Sequence, residues 1–248
     1  MTPALEASGI TVRYGGVVAV DDISIIVSAG ELVGLIGANG AGKTTFVDAV
    51  SGFAPHSGHV VVAGHDVTNL APHRRASSGI GRTFQAGELF GDLTVLDNLE
   101  VATRQLQPRD LVYDLMGRRE DSRRTRAIEA LAAVGLEDRA DASPSELSLG
   151  QVKLVGVARA LAMGPHVLLL DEPAAGLGRD EGAVFATTLR SLVTGNLGAL
   201  MIDHDADMMF GICDRIVAID FGRVIASGTP AEVRANPAVE RAYLGTSS

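Results

Sequence analysis

Cysteine is nearly absent: Cys213 is the one thiol in 248 residues. A lone cysteine excludes an internal disulfide and fits a reducing compartment. Its apolar surroundings read as a small buried hydrophobe rather than a reactive thiol. No apolar run approaches the roughly 20 residues that span a bilayer, and the first residues lack the basic-then-apolar pattern of a secretory signal. The expectation is a protein that reaches a membrane, if at all, from the aqueous side through a partner. A basic excess is missing too: 21 Lys and Arg stand against 30 Asp and Glu, a formal net charge of −9. That balance disfavours a sequence-independent grip on nucleic acid, and no nucleic-acid partner is expected. Internal repeats and low-complexity segments are also lacking.

At 46% hydrophobic and 21% charged residues, the chain can bury a core of one domain, or one domain with a lobe. Leu5 to Val27 alternates apolar and polar residues around Gly15-Gly16, the pattern of antiparallel strands. Leu32 to Ile36 is a short apolar strand running into a glycine-rich loop, and Thr44 to Val50 is helical in composition. Gly58 to Gly64 reads as a strand. Thr94 to Gln107 and Arg123 to Val134 have helical spacing, the second with Gly135 as its stop. The basic stretch Arg118 to Arg126 reads chiefly as a solvated helix face.

Ser148 to Ala162 reads as a helix, Val167 to Leu170 as a buried strand, and a helix follows near Asp180 to Val193. Ala199 to Ile202 is a second buried strand, and Asp214 to Ile219 with Arg223 to Ala226 forms a late hairpin. Thr229 to Glu232 spells a capping box with Pro at the first helical position, and Asn236-Pro237 opens a last short helix. Strands alternating with helices imply an α/β fold with a parallel sheet. Its expected division is a core of residues 1–86 and 162–248, carrying an antiparallel β part, with a helical lobe at 87–161.

Two constellations carry chemistry. In Gly37-Ala38-Asn39-Gly40-Ala41-Gly42-Lys43-Thr44, glycines let backbone N–H groups turn inward onto phosphate oxygens. The helix that follows aims its positive end at the same point. Lys43 adds a charge for the β- and γ-phosphates, and the Thr44 hydroxyl suits Mg²⁺. The expected cofactors are therefore ATP and Mg²⁺. In Val167 to Pro173, an apolar strand delivers Asp171 to the rim of the sheet as a Mg²⁺ ligand. Glu172 stands one residue further out, placed to orient and deprotonate a water.

These motifs, with Leu147-Ser148-Leu149-Gly150-Gln151 before a helix, resemble the nucleotide-binding subunit of ABC transporters over essentially the whole chain. The resemblance implies an ATP hydrolase with a P-loop core. It implies that Tyr14 stacks on adenine, that Thr45 joins the phosphate contacts, and that Gln85 reaches the Mg²⁺ or water site. His204 would hydrogen-bond the γ-phosphate and act with Glu172. Ser148, Gly150 and Gln151 would meet the γ-phosphate held by a second ATPase subunit, identical or different. The other implied partners are membrane permease subunits and, indirectly, a solute-binding protein, which puts the chain on the cytoplasmic face of the inner membrane.

Gly81 to Gln85, Glu172 to Leu177, Gly211 to Ile216 and the tail from Asn236 to Gly245 resemble branched-chain amino acid importers, and specifically the longer of their two ATPase subunits. Lipopolysaccharide export or amide and urea uptake is the alternative, ahead of a soluble ABC-type ATPase acting on nucleic acid.

Three positions depart from the family pattern: Leu149 in place of a glycine, Gly178 where Asp or Asn is frequent, and Asp203 before His204. Asp203, His204, Asp205 and Asp207 look like a metal cluster, but Asp205 and Asp207 suit the cap and first turn of a helix beginning near Ala206. Asp220-Phe221-Gly222 matches a kinase magnesium motif in letters only and lies in the late hairpin.

Overall fold

The computed structural model describes residues 2–83, 89–103 and 118–244. Its centre is a six-stranded sheet in the order β10-β9-β3-β8-β7-β6. The strands are β3 (Leu32–Ile36), β6 (Ile80–Thr83), β7 (Val167–Asp171), β8 (Gly198–Ile202), β9 (Arg215–Asp220) and β10 (Arg223–Gly228). β6, β7, β8, β3 and β9 run parallel, and β10 returns antiparallel on β9 as the late hairpin. A second sheet, β2-β1-β4-β5, is antiparallel. It contains β1 (Leu5–Tyr14), β2 (Val17–Val27), β4 (Ser57–Val62) and β5 (His65–Asp66). Tyr14 pairs with Val17 across Gly15-Gly16, as the alternation predicts.

Every residue of β3, β7 and β8 is buried, as expected of parallel strands covered on both faces. Successive side chains point to opposite faces, and the apolar residues sort accordingly. Val33, Leu35, Val167, Leu169, Leu200 and Ile202 pack toward α1 (Lys43–Ser51) and the antiparallel sheet. Leu32, Ile36, Leu168, Leu170 and Met201 pack toward the helices on the other side. That second cluster continues without a break through α3 (Val95–Ala102), α4 (Arg118–Ala133), α5 (Leu149–Leu161) and α6 (Arg179–Leu192).

The helix signals are realised closely. Thr94 caps α3 with Asp97 in a reciprocal box, the sequence-expected extension of that helix to Gln107 lies outside the described residues, and Gly135 follows α4 at φ +70°. Arg124 and Arg126 on α4 are exposed, and Arg124 pairs with Glu100 at 3.3 Å. Asp205 caps α7 (Ala206–Ile212) by accepting the Met208 N–H at 3.0 Å, and Asp207 pairs with Arg234 at 2.6 Å. Arg234 closes α8 (Pro230–Arg234), so the segment leading to α9 (Pro237–Val239) is fastened to α7. Its guanidinium also lies 4.7 Å over the Phe210 ring. Cys213 is 6% exposed, and burial pushes its thiol up to about 12, the inert thiol the sequence suggests.

Elements that escape the sequence pattern include β5, α2 (Pro72–Ser77) and β6. α2 carries Arg75, 2% exposed, which donates to the Ala49 and Val50 carbonyls at 2.8 and 2.7 Å. A buried cation thus caps the negative end of α1.

Candidate functional site

Because β3, β7 and β8 are parallel neighbours, their carboxyl ends open on one rim, where ligands of open α/β sheets bind. β3 delivers the loop 37–42. At Gly37 a Cβ would lie 2.3 Å from the Ile219 carbonyl oxygen, and at Gly42 it would lie 2.4 Å from that of Ala19. Larger residues there would push the loop out of place. Asn39, Gly40 and Thr44 are exposed, Thr45 is half-buried, and Ala41 is buried against the fold. The Ala41 carbonyl accepts the Gly222 N–H at 2.9 Å, so the β9–β10 turn props the loop.

α1 begins at Lys43 with Gly42 as its cap at φ +103°, no side-chain cap and no acidic residue in its first turn. Its positive end is therefore not neutralised by its own sequence, which suits a bound anion. Lys43 Nζ donates to the Gly37 carbonyl at 2.7 Å and the Ala38 carbonyl at 3.0 Å. Burial lowers its pKa, and the charges of Glu172 and Asp171 oppose that shift. The two carboxylates and the loop thus form one electrostatic unit.

Asp171 ends β7 at 4% exposure. Its Oδ2 lies 3.4 Å from Arg82 Nη2, while its Oδ1 is buried with no hydrogen-bond partner. Desolvation raises the Asp171 pKa; Arg82 pulls it down, and Glu172 and Asp48 push it further up. Glu172 follows in the left-handed region at φ +47°, its N–H held by the Ile202 carbonyl at 2.8 Å. A non-glycine residue held there costs energy and turns the side chain off the path of the strand.

Asp171 pairs with Ile202 in the sheet, which puts Glu172 and the segment Asp203-His204 at adjacent strand ends. His204 is 64% exposed, with Nδ1 3.6 Å from Asp203 Oδ1. It lines a cleft of about 590 Å³ with Gly178, Asp203 and Met208. Asp203, to which the sequence reading gave no role, is 1% exposed and bonded on both sides. Its Oδ1 accepts the Asp205 N–H at 3.0 Å and its Oδ2 the Ala174 N–H at 3.4 Å. It ties the loop after β7 to the loop after β8, so its charge is structural.

Ser148 caps α5: its Oγ accepts the Gln151 N–H at 3.3 Å, and Gln151 Oε1 accepts the Ser148 N–H at 2.9 Å. The Ser148 hydroxyl proton remains able to donate outward. Gly150 is buried against Glu181, and Leu149 is 47% exposed beside Gly176. The cavity of about 240 Å³ that Ser148, Gly150 and Gln151 line includes no residue of the 37–44 loop. The rim therefore gathers the loop, Asp171, Glu172 and His204, whereas Ser148, Gly150 and Gln151 line their own cavity with Asp180, Glu181 and Phe185. Tyr14 is half exposed at the end of β1. Gln85 lies outside the described residues.

Residues 20–175 match the family model of the ABC transporter, and residues 223–247 match that of the branched-chain amino acid ATP-binding cassette transporter. The chain belongs to the ABC transporter family. This ABC ATPase is 37% identical to the high-affinity branched-chain amino acid transport ATP-binding protein LivG of Salmonella typhimurium, over 98% of both chains. It is also 37% identical to the lipopolysaccharide export system ATP-binding protein LptB of Escherichia coli, over 97% of both. A solved ATP-binding cassette of an ABC transporter in its ADP conformation superposes with a TM-score of 0.86 at 30% identity, covering 99% of this chain and 100% of that one. The ABC ATPase thus binds and hydrolyses ATP on an α/β P-loop fold. Among the described residues no helix is long and apolar enough to cross a membrane.

Proposed function

We propose that this ABC ATPase powers uptake of branched-chain amino acids through permease subunits, working at the cytoplasmic face of the membrane. The observation that carries the cargo is the match of residues 223–247, the segment from β10 through the tail, to branched-chain transporters. The likeness to LivG over nearly the full chain agrees with it.

In the reaction, the N–H groups of 37–44 and the open end of α1 receive the phosphates of ATP, and Thr45 adds a contact. Lys43 exchanges its two loop carbonyls for phosphate oxygens. The partnerless Asp171 Oδ1 and the exposed Thr44 hydroxyl are oxygen donors of the kind a hard divalent cation takes, so these residues fit Mg²⁺. When bound, Mg²⁺ would supply positive charge that offsets the charge on the phosphates. Glu172 accepts a proton from the attacking water, and His204 holds the γ-phosphate. Tyr14 offers its ring to adenine, and Gln85 links the site to the lobe formed by residues 87–161.

Ser148 donates to the γ-phosphate bound by a second ATPase subunit, with Gly150 and Gln151 shaping the approach. That the cavity lined by Ser148, Gly150 and Gln151 takes no residue from the 37–44 loop of the same chain supports a site shared between two. A solute-binding protein acts indirectly, through the permease.

The test is reconstitution. The chain is purified in mild detergent with its membrane partner and placed in vesicles with the cognate solute-binding protein. ATP-dependent uptake of radiolabelled leucine, isoleucine or valine is expected, together with faster ATP hydrolysis. Hydrolysis without uptake of any of the three would reject the cargo and leave the ATPase standing.

A further inference from the structure

β6 had no sequence signal as a strand, and its third residue is the least expected feature of the site. Arg82 carries a side chain 9% exposed at the edge of the central sheet. Its Nη1 donates to Asp48 Oδ1 at 2.7 Å and to Ser51 Oγ at 2.6 Å, both on α1. Its guanidinium carbon also lies 5.5 Å from the centre of the Phe53 ring. Its Nη2 reaches Asp171 Oδ2 at 3.4 Å.

These distances are unequal in an informative way. A guanidinium left to itself takes a carboxylate with two parallel bonds near 2.7–2.9 Å, which would occupy both oxygens. Here Asp48 and Ser51 hold one arm at full strength, and the other reaches a single Asp171 oxygen at long range. Oδ1 is left buried with no partner. An ordinary ion pair would have removed the acid from use. This one orients the acid and keeps one oxygen available.

We propose that Arg82 is a positioning residue for the divalent-cation site. Anchored on α1 by Asp48 and Ser51, it fixes the Asp171 carboxylate with Oδ1 presented to Mg²⁺ and couples that carboxylate to the helix that bears Lys43 and Thr44. The proposal rests on the reading of Asp171 as a cation ligand.

The experiment measures affinity of the full chain for a fluorescent ATP analogue across a Mg²⁺ titration and in EDTA, with unfolding midpoints followed in parallel. Asp171→Asn tests the underlying reading and should abolish the Mg²⁺-dependent tightening. Arg82→Met should raise the Mg²⁺ concentration at half-effect about 10-fold, the usual scale for losing a partner that orients a metal ligand. Arg82→Lys restores charge without the fork, and its midpoint should stay raised. Should Arg82→Met not fold, Asp48→Asn takes the charge from the anchor of that arm, at a position one-third exposed, and should raise the same midpoint.

A normal Mg²⁺ midpoint in Asp48→Asn, and in Arg82→Met where it folds, would overturn the proposal while leaving Asp171 in its role. Equal weakening with Mg²⁺ and in EDTA would make Arg82 a plain staple between β6 and α1, which also overturns it. A wild-type Mg²⁺ response in Asp171→Asn would bring down the reading and the proposal together.

Discussion

The Lys43 ammonium lies 2.7 Å from the carbonyl oxygen of Gly37, six positions earlier in the chain. The loop is braced by the same cation that is aimed at phosphate, so removing it should affect both loop shape and ligand. Lys43→Met is expected to weaken ATP binding about 10- to 100-fold, the worth of one or two charge-assisted hydrogen bonds. Equilibrium titration with a fluorescent nucleotide measures this, and wild-type affinity would contradict the phosphate role.

Glu172 at φ +47° gives a trade between stability and turnover. Glycine accepts that backbone without the left-handed penalty of about 1–2 kcal/mol, less roughly 0.5–1 kcal/mol for its own entropy. Glu172→Gly should therefore fold as stably as the parent or slightly better, by up to about 1 kcal/mol, while phosphate release falls on the order of 100-fold or more. Denaturant unfolding and a phosphate-release assay read the two effects separately. Undiminished turnover would take the water-activating role away from Glu172.

Asp171 predicts a pH dependence with a definite sign. Its folded-state pKa is raised above the ordinary value of 3.8, chiefly by burial. The folded chain thus holds that proton more tightly than the unfolded chain does. Stability falls as pH climbs from the unfolded value through the raised folded one, and the penalty persists above it. Asp171→Asn should be more stable than the parent at pH 7 in Mg²⁺-free buffer, and its advantage should shrink as pH drops toward 4. Chemical denaturation across that range tests it; a constant advantage would point to packing instead of charge.

Ser148 does two jobs that substitutions can separate. Aspartate caps a helix about as well as serine, whereas alanine costs about 1 kcal/mol. Ser148→Asp should keep α5 and its stability yet bring a negative charge to where a partner's γ-phosphate is expected. In a Glu172→Gln background, size-exclusion chromatography with ATP should show dimers for the parent and monomers for Ser148→Asp. Dimers in both would remove Ser148 from the shared site.

Much of this fold is legible because local chemistry and global packing agree. Leu32 to Ile36 is apolar throughout, it lies between two strands, and its bounds in the structure are those the sequence suggests. The capping box at Thr229 and the asparagine cap at Asn236 are likewise realised. β6 was illegible because Ile80-Gly81-Arg82-Thr83 is only four residues long and has Gly and Arg between its two strand formers, and pairing with β7 is what makes it a strand. Arg82 reads as a surface charge until the fold brings Asp48 and Ser51 of α1 and Asp171 of β7 around it from two separate stretches. Asp203 was silent for a similar reason: its partner Ala174 is 29 positions away. The motif letters locate the phosphate loop and the carboxylates, but the groups that orient them depend on tertiary neighbours.

β3, which ends in the phosphate loop, is flanked in the sheet by β8 and β9. The Leu32 N–H donates to Asp214 Oδ2, 182 positions later in the chain. At roughly 5–20 residues per second, a ribosome needs about 10–40 s to make that stretch. During this interval the growing chain carries an apolar strand with two open edges, a template for aggregation. The motif that declares the protein's chemistry is thus synthesised well before the strands that make it usable. A chaperone has its clearest task in that interval, and ATP becomes a ligand only once β8 and β9 have joined β3.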